Sequence, residues 1–172
     1  MKKIIALSLL AFTLSCSTQT VSMDYDRNQD FSSIQNYALF FEGEDWNDLN
    51  KNRFETALVE VLQSKQMIYQ DQSTTKIQVT SESFVSEQQS SQVGMGVGTG
   101  GRGFGTSMGV SIPINSEKLN QIYRISMRNA ADELIWEGKL IVQQPIHASP
   151  EVSAQNIQKG IQKLFKKFPP KN

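Results

Sequence analysis

The chain has 172 residues, of which 38% are apolar and 9% aromatic, which is enough to bury the core of one domain. Its 17 basic and 17 acidic residues cancel, which argues against a protein that binds nucleic acid by neutralising phosphates. A single cysteine excludes an internal disulfide and a cysteine-based zinc site, and no cofactor is expected.

The N-terminus has the pattern of an export signal. Lys2 and Lys3 precede an uncharged, largely apolar run over residues 4–14, which is too short to span a bilayer as a helix. Ser15 stands directly before the only cysteine, Cys16, and this resembles the lipobox of bacterial lipoproteins. In that class the cysteine is acylated and becomes the first residue of the mature chain.

Two features of this signal leave an alternative open. Thr13 and Leu14 depart from the residues preferred in a lipobox, and Thr13-x-Ser15 also suits an ordinary signal peptidase, which would leave Cys16 as a free thiol. Ser17, rather than an aspartate, favours the outer membrane under the lipoprotein sorting rule. We therefore predict a signal peptide over residues 1–15, a palmitate-bearing N-terminus and tether over 16–20, and one domain over 21–172.

The first part of the mature chain predicts two strands and a helix. Val21, Met23 and Tyr25 alternate with polar residues, and residues 37–41 form a second apolar run. Leu49 to Met67 carries apolar residues at helical spacing, and Asp48 is expected to cap this helix. Residues 76–88 predict a further strand.

Four polar residues at and after the end of the first strand have the spacing of a calcium loop: Asp24, Asp26, Asn28 and Asp30. The sharp-turn glycine and the bidentate glutamate of such loops are missing, and no helix precedes the segment. We therefore expect no metal here and interpret these residues as exposed strand-end side chains.

Eight of the eleven glycines lie between Gly94 and Gly109, within a segment inserted at about residues 90–110. From Gly94 to Ile114, apolar residues alternate with small ones, as in a β-hairpin that extends from the sheet or, in an oligomer, enters a membrane. Gly96-x-Gly98-x-x-Gly101 also fits the dinucleotide pattern, but a β-pattern follows it where a helix is needed, so no nucleotide is expected.

The same segment contains a G-x-S-x-G match around Ser107. Asp132 and His147 follow in the chain order of an α/β-hydrolase triad, which makes a serine hydrolase an alternative function. However, a strand pattern follows Ser107 where the nucleophile elbow needs a helix. We therefore expect the protein not to be an enzyme.

The C-terminal half predicts a hairpin and a second helix. Residues 121–127 and 134–142 alternate as strands, with a turn over residues 129–133 between them. Ser149 is the expected cap of a helix over residues 150–168, whose lysines near the end complement the helix dipole. Pro169 and Pro170 terminate this helix.

These features, in this order, resemble the bacterial lipoproteins grouped as domain of unknown function 4136. The resemblance rests on residues 21–26, the Asp30-Phe31-Ser32 turn, the glycine-rich middle, Leu134-Ile135-Trp136-Glu137-Gly138, and the final Phe168-Pro169-Pro170. It implies an exported α+β lipoprotein and carries over no catalytic residue. Within the motif we expect Trp136 to pack in the core and Gly138 to mark a β-bulge.

Together these features predict an α+β domain with a largely antiparallel sheet and two long helices on one face. The predicted role is a non-enzymatic binding or assembly component of the envelope, lipid-anchored at Cys16 in the bacterial outer membrane and facing the periplasm. Its partners are the membrane and other envelope proteins or further copies of itself, not nucleic acid. A pore or secretion component that inserts residues 94–114 in the membrane is the main alternative.

Overall fold

The computed structural model describes residues 18–43, 45–88 and 116–170. The predicted signal peptide, Cys16, Ser107 and the segment from Gly94 to Ile114 lie outside the described residues. The described parts form six strands and two α-helices: β1 (Thr18–Tyr25), β2 (Asn36–Glu42), α1 (Asp48–Ser64), β3 (Ile68–Tyr69), β4 (Lys76–Gln88), β5 (Ser116–Arg128), β6 (Leu134–Pro145) and α2 (Pro150–Leu164).

The six strands form one sheet in the order β1-β6-β5-β4-β2-β3. Strands β1, β6, β5 and β4 are antiparallel neighbours, but β2 runs parallel to both β3 and β4. The predicted α+β class is confirmed, whereas the prediction of a largely antiparallel sheet is wrong, because the sheet is mixed. The physical reason is the connection: α1 carries the chain from the end of β2 back to the start of β3 and β4, and such a crossover joins parallel strands.

Both helices begin at polar caps. The Ser149 hydroxyl accepts a hydrogen bond from the Val152 N–H at 3.4 Å, so the predicted cap of α2 is confirmed. The predicted cap of α1 is wrong by one residue. Asn47, not Asp48, has the extended backbone of a cap, and its side chain accepts a hydrogen bond from the Asn50 N–H at 2.9 Å.

One face of the sheet carries both helices and the core. Residues that alternate along the strands point to this face, and the largest fully buried side chains are Trp136, Tyr37, Tyr123, Phe54 and Phe165. Neither of the described α-helices covers the opposite face, which carries exposed ion pairs, Lys76 with Asp132 and Arg124 with Glu82. Within the described ranges, neither helix combines the length and apolarity that a membrane span requires.

Gly138 lies in a regular part of the sheet, so the predicted bulge at this position is wrong. It pairs with Met23 on one side and with Ile125 on the other, and the register shift between β5 and β6 falls at Met127 and Arg128 instead. A side chain at position 138 would overlap the Trp136 ring. The glycine is therefore required because the indole packs across it.

Candidate functional site

A groove of about 610 Å³ lies where α2 ends beside the edge strand β1. Its wall is apolar and its rim is basic. The groove therefore offers both an apolar surface and positive charge to a binding partner. The residues that form it are Met23, Tyr25, Lys65, Lys166, Lys167, Phe168, Pro169 and Pro170.

The apolar wall is held in place by aromatic packing. Phe168 is buried, and its ring lies 5.8 Å from that of Phe31 and 5.7 Å from that of Trp136, both in edge-to-face geometry. These contacts fix the chain after α2 against the core. Pro169 and Pro170 then continue along the groove with restricted backbone freedom.

The basic rim comes from two helices. Lys166 and Lys167 lie in the 3-10 turn that follows α2, and Lys65 is the C-cap residue of α1. Among the described residues, no carboxylate lies within 4.0 Å of these three ammonium groups. The groove therefore presents uncompensated positive charge beside an apolar wall, which suits an anionic partner.

Strand β1 is the outer strand of the sheet beside this groove. The Asp26 N–H donates to the Ile135 carbonyl at 2.9 Å, and this sets the phase of the ladder: even-numbered residues of β1 bond to β6. The N–H and C=O groups of the odd-numbered residues consequently point away from the sheet.

Side chains cover part of this free edge. Lys163 Nζ donates to the Gln19 carbonyl at 2.7 Å, and the Tyr25 N–H donates to Asp24 Oδ1 at 2.9 Å. Between these two capped positions, the backbone groups of Val21 and Met23 have no hydrogen-bond partner among the described residues. The open part of the edge thus lies next to the groove, since Met23 also lines it.

The residues of the predicted hydrolase triad are not brought together. Asp132 lies in the turn before β6, and His147 follows the end of that strand. The twelve residues of β6 span roughly 40 Å, so the aspartate cannot orient the histidine. Ser107 lies outside the described residues, but the triad with these partners is excluded by the separation of the other two members.

The aspartates of the calcium-like motif accept hydrogen bonds from nearby backbone N–H groups. Asp24, Asp26 and Asp30 accept hydrogen bonds from the backbone N–H groups of Tyr25, Asn28 and Ser32, respectively. Hydrogen bonds from the Ser32 hydroxyl and N–H lower the pKa of Asp30. In the described part of the chain, no three His, Cys, Asp or Glu side chains are grouped as metal ligands would be.

Sequence reasoning missed the groove. The lysines near the end of α2 are recognisable in the sequence as a charge cluster, but their fit to the helix dipole gives no indication of a groove. Lys65 is about one hundred positions away along the chain, and no sequence signal connects it to Lys166. The one available clue was the Phe168-Pro169-Pro170 ending, which indicates a chain segment fixed on the surface.

Two solved structures are similar to this chain at very low sequence identity. A PelC dodecamer from Paraburkholderia phytofirmans matches with a TM-score of 0.47 and 9% identity over 86% of this chain and 97% of that chain. A PDZ domain protein from Parabacteroides distasonis matches with a TM-score of 0.50 and 11% identity. That match covers 91% of this chain but only 37% of the other.

Sequence comparisons give one family. No curated protein matches the chain. The family model described as domain of unknown function DUF4136 matches residues 21–170, which is nearly the whole chain after the predicted signal peptide. The resemblance found in the sequence is thereby confirmed, and the chain belongs to the DUF4136 family.

Proposed function

We propose that this protein is a non-enzymatic binding or assembly component of the bacterial envelope, anchored by acylated Cys16 in the outer membrane and facing the periplasm. The observation that carries the binding role is the groove, where uncompensated lysines lie beside an apolar wall and an open sheet edge. Such a surface offers contacts to a partner and contains no set of groups arranged for acid–base or nucleophilic chemistry.

The position of β1 supports an orientation for the anchored domain. This strand begins at Thr18, two residues after Cys16 and inside the range that the sequence assigned to the tether. An acyl chain on Cys16 would therefore hold the start of β1 close to the bilayer. The eight residues of β1 span roughly 26 Å, so the groove beside Tyr25 would lie on the far side of the domain, open to the periplasm.

One observation favours the pore or secretion component as a second candidate. The start of β1 and the start of β5 lie at the same end of the sheet. Thr18 pairs with Gln143 of β6, and Gln143 pairs with Asn120 of β5. Strand β5 begins at Ser116, four residues before Asn120. Ser116 pairs with Gln88, so both ends of the segment over residues 89–115 emerge at the end of the sheet where the anchor begins. Insertion of residues 94–114 into the membrane would be compatible with this placement.

Crosslinking in intact membranes tests the proposal. The native protein would be crosslinked and sized, and its neighbours would be identified by mass spectrometry, with Cys16→Ala as the unanchored control. We expect a defined foreign envelope protein that is lost or reduced in the control. A ring of identical chains would favour the pore candidate instead. A monomer without neighbours would contradict both assembly roles.

A further inference from the structure

We propose that the free edge of β1 binds an extended, acidic segment of another protein. This segment adds to the sheet as a further strand beside the groove lined by Lys65, Lys166 and Lys167, which we call the lysine groove. The inference rests on the proposed binding role and names its class of partner. It does not depend on the acyl anchor, because the edge and the groove are built from the folded domain alone.

The open backbone groups supply the first part of the argument. Val21 and Met23 each present one N–H donor and one C=O acceptor outward, in the phase set by the Asp26–Ile135 hydrogen bond. An added strand can pair with these groups without disturbing β6, which bonds to the even-numbered residues. Main-chain pairing of this kind provides affinity for extended peptides with little dependence on their sequence.

The second part of the argument is that the two edges of the sheet are protected differently. Proteins block free edges with charged side chains, bulges, prolines or very short strands. The other edge of the sheet is the two-residue strand β3, which is too short to pair extensively. In β1, Lys163 and Asp24 cover single groups at Gln19 and Tyr25 and leave the centre of the strand open. The open region is thus confined to the part of the edge that adjoins the groove.

Charge decides the chemistry of the partner. In an added strand, the side chains on the helix-covered face of the sheet would point towards the groove that Met23 and Tyr25 line. Lys65, Lys166 and Lys167 surround that space without a carboxylate partner among the described residues. Carboxylate side chains at alternate positions of the added strand would therefore meet three ammonium groups.

A second copy of this chain fits the edge less well. Pairing of β1 with its own copy would bring the two α2 helices side by side, since α2 packs on β1. The exposed charges of α2 and the turn after it are Glu151 against Lys159, Lys163, Lys166 and Lys167. Like charges would face each other, and this opposes the self-pairing.

Peptide binding to the full chain, purified in detergent, tests the inference. The probes are a fluorescein-labelled heptapeptide of alternating valine and glutamate, and the same peptide with lysine in place of glutamate. Fluorescence anisotropy measures affinity, and amide hydrogen exchange reports on the edge. We expect the glutamate peptide to bind at least about tenfold more tightly than the lysine peptide. It should slow exchange of the Val21 and Met23 amides.

Matched variants separate the edge from the charge. Val21→Pro removes an N–H that faces away from β6 and should weaken the glutamate peptide about tenfold, whereas Val21→Thr keeps the donor and should bind normally. The double variant Lys166→Glu/Lys167→Glu should weaken binding by a similar factor. Lys159→Glu changes an exposed position on α2 outside the groove and should have little effect.

Three results would overturn the inference. The first is equal affinity for the two peptides, and the second is unchanged binding of the glutamate peptide by Val21→Pro. The third is absence of peptide binding together with a dimer whose Val21 and Met23 amides are protected from exchange. This third result would assign the edge to a second copy. Val21→Pro and Val21→Thr must show similar melting temperatures, and Met23→Pro repeats the test if they do not. If the peptides fail while a foreign envelope partner is still crosslinked in membranes, only this inference is wrong and the proposed function stands.

Discussion

The Trp136 indole lies directly over the backbone of Gly138, two residues further along the same face of β6. A methyl group at position 138 would overlap the ring and approach Leu164 Cδ2 to 2.9 Å. Trp136 is 1% exposed, and its ring lies 5.0 Å from that of Phe165, so it has little room to move. The pair joins β6 to α2 and to the turn that follows it.

We expect Gly138→Ala to destabilise the domain by about 1–3 kcal/mol, as overpacking of a filled core does. Urea unfolding followed by circular dichroism measures the change. Lys139→Ala, on the uncovered face of the same strand, is the control and should be nearly neutral. In a Trp136→Phe background the smaller ring leaves space, so Gly138→Ala should lower the free energy of unfolding by less than it does in the parent protein. An equal cost in both backgrounds would show that the indole is not the cause.

Two buried tyrosines predict a loss of stability at alkaline pH. Burial raises the pKa of Tyr37 to about 12 and raises that of Tyr123 further, and the hydroxyl groups of both have no hydrogen-bond partner among the described residues. Since both pKa values are raised above the unfolded value of about 10, the unfolded state loses its protons first. Stability is therefore complete below about pH 10 and falls as the pH rises towards the folded values.

Removal of these two hydroxyl groups should reduce the loss of stability at alkaline pH. We expect Tyr37→Phe/Tyr123→Phe to retain stability at pH 7, because each variant removes an unpaired buried polar group rather than a hydrogen bond. Between pH 10 and pH 12 the parent protein should lose about 1.4 kcal/mol per pH unit for each tyrosine, relative to the double variant. Chemical denaturation at pH 7, 10 and 11 measures this difference. Parallel stability curves for the two proteins would contradict the prediction.

A buried amide cluster predicts the effect of a change at Asn156. The Asn156 side-chain amide donates to Gln144 Oε1 at 3.1 Å, and Gln144 donates in turn to the Ser153 hydroxyl at 3.1 Å. Asn156→Ala should destabilise the protein by about 1–3 kcal/mol, because a buried acceptor on Gln144 loses its donor. Thermal unfolding measures the effect. Replacing both amides, as in Gln144→Leu/Asn156→Leu, should recover part of the loss, and a further drop would contradict this account.

The anchor is tested by metabolic labelling with an alkyne analogue of palmitate. We expect the native protein to carry the label and to fractionate with outer membranes, because multiple acyl chains give stable anchoring. Cys16→Ala should lose both the label and the membrane association. Ser17→Asp should keep the label but move the protein to the inner membrane under the lipoprotein sorting rule. An unlabelled native protein with a free thiol would favour plain secretion instead.

Local patterns predicted most of the elements. The alternation of Val21, Met23 and Tyr25 identified β1, and the 3.6-residue spacing of apolar residues identified α1 and α2. The turn before β6 was also recognisable, since Asn129 Oδ1 accepts hydrogen bonds from the Ala131 and Glu133 N–H groups at 3.0 Å. The cap of α1 was misplaced by one residue because Asn47 and Asp48 are both suitable caps and only the backbone conformation distinguishes them.

The site depended on contacts that local patterns do not encode. Ile68 and Tyr69 are too short a run to stand out as a strand, and nothing local indicates that β2 pairs in parallel with β4. The groove exists because the end of α1 and the end of α2 meet, which brings Lys65 to Lys167. Asp132 and His147, whose order in the sequence suggested a triad, are kept apart by the extended strand β6 that lies between them.

The sequence by itself determined most of the helices and strands and which of their faces turn inward, because periodicity acts over a few neighbouring residues. The order of its short motifs also indicated the family. The tertiary structure alone decided the mixed sheet, the free edge at Val21 and Met23, and the lysine groove beside it. These features depend on which elements become neighbours. That choice is made by packing between residues that are distant in the chain, such as Trp136 with Phe165 and Phe31 with Phe168.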